Sequence, residues 1–212
     1  MIGGGVLRRA LATPAVGTVT TVGRRRTGME HSKLREVEHA NFADCKPIME
    51  ELANQDVALF CLGAYTGTVP DAELRRITVD YVVGFAETLV GISPNAAFCL
   101  LSGQGADQTE KSRIAFAKYK GAAEKSLLSM GFPRVHLFRP GYIYPVTPRT
   151  EHNLPYRVMR MLYPAVRLVW PNVGIPSDDL ANVMLEVGLQ GTPGHTDPVL
   201  ENRDLRALAT TS

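Results

Sequence analysis

Short apolar runs alternate along this chain with longer segments in which apolar residues recur every three or four positions. The runs predict β-strands, and the periodic segments predict α-helices. The predicted strands comprise residues 16–22, 34–40, 56–62, 98–102 and 135–138. The predicted helices comprise residues 6–12, 47–54, 70–90 and 110–130, with one more helix opening at 176–179 and another at 201–209. Strands that alternate with helices in this way are typical of an α/β fold with a parallel sheet.

The stretch from residue 98 to residue 145 contains the clearest strand, helix, strand unit. Glycines end its first strand and its helix, and Pro140-Gly141 follows its second strand. In open parallel sheets, ligands bind outside the carboxyl ends of the strands. We therefore expect the ligand site in the loops formed by residues 102–107 and 140–145.

A glycine cluster, Gly3-Gly4-Gly5, lies directly before the predicted 6–12 helix and the 16–22 strand. Glycines at a helix start with a strand after the helix form the second half of a dinucleotide-binding βαβ unit, which also needs an earlier strand and a tight turn. Our hypothesis is that Met1 is internal to the natural reading frame and that an apolar strand of about 5–6 residues precedes it. If the chain begins at Met1, the central strand of the sheet is absent, and its two neighbours keep unpaired backbone groups.

Residues 1–29 also fit an organellar presequence, because they carry five arginines and no acidic residue before Glu30. The segment is nevertheless poor in serine. Its arginines form two groups, which fit a helix and a loop after a strand. The dinucleotide-binding interpretation is therefore favoured.

The tripeptide Arg24-Arg25-Arg26 follows Gly23 at the end of the predicted 16–22 strand. In dinucleotide-binding folds, an acidic residue after the second strand accepts a hydrogen bond from the ribose 2′-hydroxyl, whereas arginine accommodates a 2′-phosphate. The planar guanidinium donates two parallel hydrogen bonds to phosphate and keeps its charge. The position predicts NADP(H) in preference to NAD(H), and a solvated basic loop is the alternative.

Two further loops lie at the predicted carboxyl edge of the sheet. Asn41-Phe42 follows the 34–40 strand and could contact an adenine, although Asn41 could equally be a helix cap. Gly63 closes the continuous apolar strand 56–62, where the absence of a side chain would let the backbone approach a cofactor.

Composition and charge exclude several classes of protein. The chain has 212 residues, 45% of them hydrophobic and 21% charged, with a net charge of +2, which fits one domain over residues 1–212. So small a charge excess gives no argument for a nucleic-acid or membrane partner. No window reaches the ~20 apolar residues of a membrane span, because Asp80 and Glu87 interrupt the longest candidate.

Cysteine and histidine positions predict no metal site. Cys45, Cys61 and Cys99 are widely spaced and odd in number, as expected of reduced core residues in a cytoplasmic protein. The five histidines are scattered, without cysteines or carboxylates at metal-ligand spacing.

Several segments together resemble the atypical short-chain dehydrogenase/reductase superfamily, and most closely its Tat-interacting-protein-like and bacterial NAD-dependent epimerase/dehydratase-like branches. The segments are GGGVLRRALA, VGRRRTG, DVALFCLG, LLSGQGAD, FAKYKGAAEKSL, FRPGYIY and LENRDL, and the resemblance spans essentially all 212 residues. It implies a Rossmann-type doubly wound parallel sheet, here lacking its first strand and the start of its Gly-rich turn, with NADP(H) in the crevice. The predicted cofactor-binding residues are Gly3, Gly23, Arg24, Arg25, Asn41, Phe42, Leu62, Gly63, Leu101, Ser102, Lys120, Pro140 and Gly141.

Active members of the superfamily share a Tyr-x-x-x-Lys pair and a serine or threonine at the end of the preceding strand. The lysine lowers the phenol pKa and holds the ribose, so that the tyrosine can exchange a proton with a substrate oxygen. In this chain Lys120 matches the lysine, but Phe116 stands at the tyrosine position and has no proton to give. Tyr119 lies about 100° around the helix from Lys120, so it cannot simply take the role of the missing tyrosine.

The serine position is changed as well. The usually catalytic serine of related sequences aligns with Gly103, and Ser102 aligns with the residue before it. Ser102 could still reach a ligand, or it could be a strand-end hydroxyl that is satisfied within the protein. Lys120 and Ser102 are therefore the remaining catalytic candidates.

Two classes of function follow. In the favoured one, the protein binds or senses NADP(H) without reducing a substrate. In the other, it is an NADP-dependent oxidoreductase or epimerase that acts on a small carbonyl or sugar-like substrate and uses Tyr142, Tyr144 or an ordered water as proton donor. The substrate, a protein partner and the oligomeric state stay open.

Overall fold

Parallel strands that alternate with helices make up the structure, a computed structural model that describes residues 2–64, 67–146, 163, 166, 170–192 and 194–211. Its strands are β1 (Val19–Gly23), β2 (Leu34–Glu38), β3 (Val57–Phe60), β4 (Ala97–Leu101), β5 (Arg134–Arg139), β6 (Tyr142–Tyr144), β7 (Gly174–Pro176) and β8 (Val199–Glu201). Its helices are α1 (Ile2–Ala12), α2 (Asp71–Arg75), α3 (Tyr81–Ile92), α4 (Ala115–Leu128), α5 (Ser177–Gln190) and α6 (Asn202–Thr211). The predicted α/β class is confirmed.

All strand pairs among the described residues are parallel. One sheet has the order β3-β4-β5-β8, while β1 pairs with β2 and β6 pairs with β7. The register places Phe60 beside Leu100 and Leu101 beside Phe138. The carboxyl ends of β3, β4 and β5 therefore lie side by side, as the sequence predicted.

The four-stranded sheet is covered on both faces. In β4, Ala97, Phe98 and Cys99 are fully buried, which explains the continuous apolar run. Phe98 belongs to a first core that includes residues of α3 and α4, whereas Cys99 belongs to a second core that includes residues of α1, α5 and α6. Helices on both faces of a parallel sheet give the doubly wound arrangement.

The β1–β2 pair joins the rest of the fold through side chains. Val22 of β1 and Val37 of β2 pack against the first core, which also contains Phe60 of β3. Within the described part of the chain, no backbone hydrogen bond of the sheet links β1 to β3. Apolar contact therefore supplies the cohesion between these two pieces.

Helix α1 begins at Ile2, earlier than the predicted start at residue 6, so the glycine cluster forms its first turn. A Cβ built on Gly3 would lie 3.3 Å from Cys61 Cβ, and a Cβ built on Gly5 would lie 3.1 Å from Ala181 Cβ. The glycines thus let α1 approach the end of β3 and helix α5 closely.

Three further predicted helices are shorter or interrupted in the structure. The 70–90 helix consists of α2, a π-type turn at Arg76–Asp80 and α3, and the Arg76 guanidinium lies 5.2 Å from the centre of the Tyr81 ring. The 47–54 helix is a single 3₁₀ turn at Lys46–Ile48.

The 110–130 helix begins only at Ala115. Asp107 accepts hydrogen bonds from the amides of Thr109 (2.9 Å) and Ser112 (2.7 Å), and Glu110 has a φ of 61°. These local bonds offer the backbone an alternative to the first helical turn, so residues 107–112 form a turn instead.

Gly121 of α4 lies against the loop that follows β4, and we expect Gly121→Ala to destabilise the protein. A Cβ at this position would lie 1.9 Å from the carbonyl oxygen of Asp107, so helix and loop must separate, at a cost of about 1–3 kcal/mol. The matched control is Gly91→Ala in α3, where a Cβ would meet nothing within 4 Å. There the better helix propensity of alanine is expected to raise stability by up to about 1 kcal/mol. Urea unfolding of both variants measures the difference, and equal midpoints would contradict the close approach.

The ring of His136 in β5 is buried, and neither of its nitrogens has a hydrogen-bond partner among the described residues. Burial, followed by the charges of Arg134 and His195, holds its pKa below the ordinary 6.5. The unfolded chain therefore binds the proton first as the pH falls. We therefore expect the contribution of His136 to the free energy of unfolding to rise as the pH increases from its lowered pKa in the folded protein to about 6.5, its ordinary pKa.

Urea titrations at pH 5 and pH 7.5 would measure this contribution in wild type and in His136→Leu. The variant should gain stability relative to wild type at the lower pH. The control is His31→Leu, because His31 is exposed. A similar pH dependence for both variants would show that buried His136 is not the source.

Candidate functional site

The site lies where the chain leaves β3, β4 and β5. The amide of Ser102 donates to the carbonyl of Phe138 (2.8 Å), and the amide of Gln104 donates to the carbonyl of Pro140 (3.0 Å). These bonds bring together the two loops in which the sequence predicted a ligand site.

Helix α4 contacts the end of β4 through one face. Phe116, Lys120 and Glu124 are spaced by four residues, which places them on the same side of the helix. They contact the consecutive residues 101–103, and we call these six residues the α4–β4 seam.

Lys120 makes the central contact of the seam. Its Nζ donates a 2.9 Å hydrogen bond to the carbonyl of Leu101, and the side chain is largely buried. Burial lowers the pKa of this amine to about 8, partly offset by the nearby Glu124 and Cys61. The thiol of Cys61 is also desolvated, which raises its pKa to about 12.

Ser102 makes the second contact. Its hydroxyl donates to Glu124 Oε1 at 2.5 Å, and Glu124 is fully buried. Glu124 also accepts from Gln108 Nε2 (2.9 Å) and from Arg139 Nε (3.0 Å). In this geometry Ser102 is a satisfied strand-end hydroxyl, the alternative that the sequence had left open.

Arg139 extends this network towards the edge of the sheet. Its guanidinium lies between the carboxylates of Glu124 and Glu201, with an Nη1 to Oε1 distance of 3.0 Å to Glu201. The hydrogen bond to Glu124 is the main cause that raises the pKa of Arg139. The network thus links α4 to β5 and β8.

Sequence reasoning missed Glu124, although its four-residue spacing from Lys120 was a usable signal.

Phe116 makes the third contact. Its Cζ would lie 2.6 Å from a Cβ built on Gly103, so the tip of the ring fills the space of a side chain at that position. The φ of Gly103 is not in the left-handed region, so glycine is required here for space and not for backbone conformation. The two departures from the Tyr-Lys-Ser pattern therefore fall on residues that touch each other.

The tyrosines near the site have other contacts. Tyr119 donates its hydroxyl to Asp71 Oδ2 at 2.7 Å, and this hydrogen bond is the main cause that raises its pKa. Tyr144 stacks on Tyr163 with ring centres 4.8 Å apart, and Tyr142 lies 5.5 Å from the same ring. Tyr119 is thus bound to the start of α2, and Tyr142 and Tyr144 belong to an aromatic cluster beside the Pro140 loop.

The arginines after β1 differ in their contacts. Arg26 is paired with Glu38 at 3.0 Å. Arg24 and Arg25 are exposed, and neither has an ion-pair partner in the described part of the chain. The guanidinium groups of Arg24 and Arg25, at the carboxyl end of β1, are therefore available to bind an external anion.

The side chain of Phe42 lies in the core and not at the predicted adenine site. Its side chain is 3% exposed and packs against Phe60, Tyr81 and Phe85, so it cannot stack on an adenine. Only its backbone remains available. Asn41 is exposed, and its carbonyl accepts from the amide of Asp44, so that it belongs to a turn and caps no described helix.

The other predicted cofactor contacts lie along the same edge of the sheet. Gly63 is exposed, and a Cβ built on it would meet nothing within 4 Å, which leaves room for a bound group. Pro140 is buried, and the remaining members of the set are half-buried: Gly3, Gly23, Leu62, Leu101 and Gly141.

Asn202 is a second residue that sequence reasoning missed. It is 2% exposed, and its Oδ1 accepts from the amide of Gly141 at 2.9 Å. Its Nδ2 donates to the carbonyls of Asn172 (2.9 Å) and Gly174 (3.3 Å). One amide side chain therefore holds β7 against the loop after β5.

No group of three or more potential metal ligands occurs within the described ranges. None of the helices described is long and apolar enough to cross a membrane. The donors that could hold a dinucleotide are the free guanidiniums of Arg24 and Arg25, the amine of Lys120 and the open backbone at Gly63. This set fits a phosphate-bearing nucleotide.

No protein-family model matches the chain. Among curated proteins, it is 29% identical over 140 residues to the protein HTATIP2 of Rattus norvegicus and 26% identical over 145 residues to the mitochondrial protein FMP52 of Candida albicans. These matches cover 65% and 66% of this chain but only 57% and 62% of the relatives. The mitochondrial protein FMP52-1 of Scheffersomyces stipitis is 22% identical over 98% of this chain and 92% of its own length.

Solved structures share the fold at low sequence identity. The enzyme WbmF of Bordetella bronchiseptica, in complex with NAD⁺, has a TM-score of 0.62 at 15% identity, with 99% of this chain and 73% of that chain covered. The short-chain dehydrogenase/reductase YIR035C of Saccharomyces cerevisiae has the same TM-score and identity, with 99% and 94% covered. The predicted Rossmann-type fold is thereby confirmed. These relatives and the shared fold support the predicted resemblance of the chain to the atypical short-chain dehydrogenase/reductase superfamily.

Proposed function

We propose that residues 1–212 form one NADP(H)-binding unit that lacks standard Tyr-Lys reductase chemistry and acts by binding or sensing the nucleotide. The α4–β4 seam carries this proposal. It keeps Lys120, the residue that would hydrogen-bond a ribose hydroxyl, but places the bare ring of Phe116 against Gly103. The seam therefore supplies a nucleotide contact without a phenol or a free serine beside it.

The geometry of the site supports each proposed contact. Arg24 and Arg25 would bind the 2′-phosphate, since their guanidiniums have no ion-pair partner among the described residues. Gly63 would admit the nucleotide close to the backbone, and Lys120 would hold the ribose. The nicotinamide, when bound, would supply hydride chemistry. The seam would offer no proton to a substrate oxygen.

A second candidate is an NADP-dependent oxidoreductase or epimerase that acts on a small carbonyl or sugar-like substrate. Its candidate proton donors are Tyr142 and Tyr144, which follow Pro140-Gly141; both residues are half-buried, although the hydroxyl oxygen of Tyr142 is itself buried. Either phenol, or a water between them and the nucleotide, would then be the proton donor.

The place of the protein in the cell is also open to test. A cytoplasmic location was predicted from the reduced cysteines. The FMP52 relatives are mitochondrial by name, and this gives the competing expectation for a fluorescently tagged full-length protein.

Arg24→Ala combined with Arg25→Ala is expected to raise the Kd for NADPH by about tenfold or more, because hydrogen bonds to a charged group contribute about 1.5–3 kcal/mol. The Kd for NADH should change much less, since NADH lacks the 2′-phosphate. Fluorescence titration with both nucleotides provides the measurement.

The matched control is Arg26→Ala with Arg35→Ala. It removes the same charge from the same region, but Arg26 is paired with Glu38 and Arg35 lies on β2. An equal loss of NADPH affinity in both double variants would indicate general electrostatic attraction and would remove the argument for a 2′-phosphate site.

Wild type is expected to show no NADPH oxidation above background with a panel of aldehydes and ketones. Phe116→Tyr should not restore it, because a hydroxyl on Cζ would point at Gly103. This overpacking should lower the free energy of unfolding by about 1–3 kcal/mol. Tyr142→Phe and Tyr144→Phe are assayed alongside. Turnover by wild type that either substitution abolishes would replace the proposed function with the second candidate.

A further inference from the structure

We propose that Lys120 is a carbonyl-capturing residue, whose amine forms a reversible imine with a small apolar aldehyde that enters at the carboxyl edge of the sheet. This inference goes beyond nucleotide binding and does not depend on it. The amine of Lys120 is buried, and the residue at the tyrosine position, Phe116, has no phenol with which the amine could act.

The position of the amine suits such a reaction. Nζ lies at the end of β4 and is held by the carbonyl of Leu101 at 2.9 Å. One hydrogen bond to a carbonyl fixes the direction of the side chain and leaves the other positions on nitrogen available. The group is thus oriented at the edge where ligands of parallel sheets bind.

The surroundings of the amine favour its uncharged form. Glu124, one turn further along α4, is the carboxylate that raises the pKa of Lys120, but by less than burial lowers it. Its oxygens are already engaged by Ser102, Gln108 and Arg139, and the Arg139 guanidinium neutralises its charge. Desolvation therefore has the larger effect and lowers the pKa of Lys120 to about 8.

The second nucleophile near the site is unable to compete. Cys61, at the end of β3, has a thiol whose pKa burial raises to about 12. A thiol reacts as the thiolate, and very little of it exists at neutral pH. Lys120 is accordingly the group in this pair that can attack a carbonyl carbon near pH 7.

The wall beside the amine defines the class of substrate. Phe116 lies one turn before Lys120 on the same helix face and fills the space over Gly103. This wall is apolar, so it suits an aldehyde with a short hydrocarbon chain. It suits a sugar or another polyhydroxylated carbonyl compound poorly, because their hydroxyls would lose hydrogen bonds to water there.

The reaction needs no oxidant or reductant. The nitrogen lone pair forms a bond to the carbonyl carbon, and one of the two amine protons moves to the carbonyl oxygen, which gives a neutral carbinolamine. The nitrogen then loses its second proton and the carbon loses its hydroxyl, so that one water leaves and a C=N bond remains. Hydrolysis reverses each step and restores both the aldehyde and the lysine.

The test is reductive trapping on the full chain with butanal and cyanoborohydride at pH 7, followed by intact mass and peptide mapping. We expect one added butyl group on Lys120, at a rate at least about tenfold above that of exposed Lys118, since the free-amine fraction grows tenfold per unit of pKa lowering.

Lys120→Arg should abolish the fast labelling while keeping the charge, and Lys118→Arg should leave it unchanged. Phe116→Ser, which makes the wall polar, keeps the test decisive if Lys120→Arg does not fold, and it should slow capture of butanal more than capture of glycolaldehyde. Labelling of Lys120 no faster than that of Lys118 would overturn the proposal.

A parallel reaction with added NADPH separates this inference from the proposed function. Protection of Lys120 by NADPH would place the amine in the nucleotide site, in agreement with both. Fast labelling without protection would support imine formation and count against the ribose contact. Slow labelling together with tight NADPH binding would refute the capture of aldehydes and leave the nucleotide proposal intact.

Discussion

The close approach of helix α4 to the end of β4 is the constraint on which the site depends. It is possible because Gly121 has no side chain to collide with the carbonyl of Asp107. Because the helix lies so close, Lys120 reaches the carbonyl of Leu101 and Glu124 reaches the hydroxyl of Ser102. A helix held farther away would break both hydrogen bonds, and a buried polar group that is left without its partner costs about 1–3 kcal/mol.

The seam is divided between polar and apolar contacts. Through Glu124, the seam joins a hydrogen-bonded network that runs through Arg139 to Glu201. Its apolar contact is the ring of Phe116 over Gly103. The residues at the serine and tyrosine positions of the family pattern therefore take part in contacts that stabilise the fold. Ser102 is used by Glu124, and Phe116 fills the space of a second side chain. What remains for a ligand is an amine and an apolar wall.

The sheet explains why much of the fold followed from sequence alone. Strand β4 is covered on both faces, so every residue must be apolar, and its run ends where the chain reaches the ligand edge. The same logic located β3 and β5. Helix starts were less predictable, because α4 begins late where Asp107 binds nearby backbone amides. Such local bonds compete with the helix and leave no trace in its apolar periodicity.

Sequence by itself determined the α/β class, the parallel direction of the central strands, the presence of Phe116 at the tyrosine position of the family pattern, and the arginines after β1. These features are local in the chain, since each depends on a periodicity or on a residue at a fixed spacing. Only the tertiary structure decided that Phe116 touches Gly103, that Phe42 belongs to the core, and that Asn202 holds the loop after β5. These contacts join residues from distant parts of the chain, and packing alone sets which of them meet.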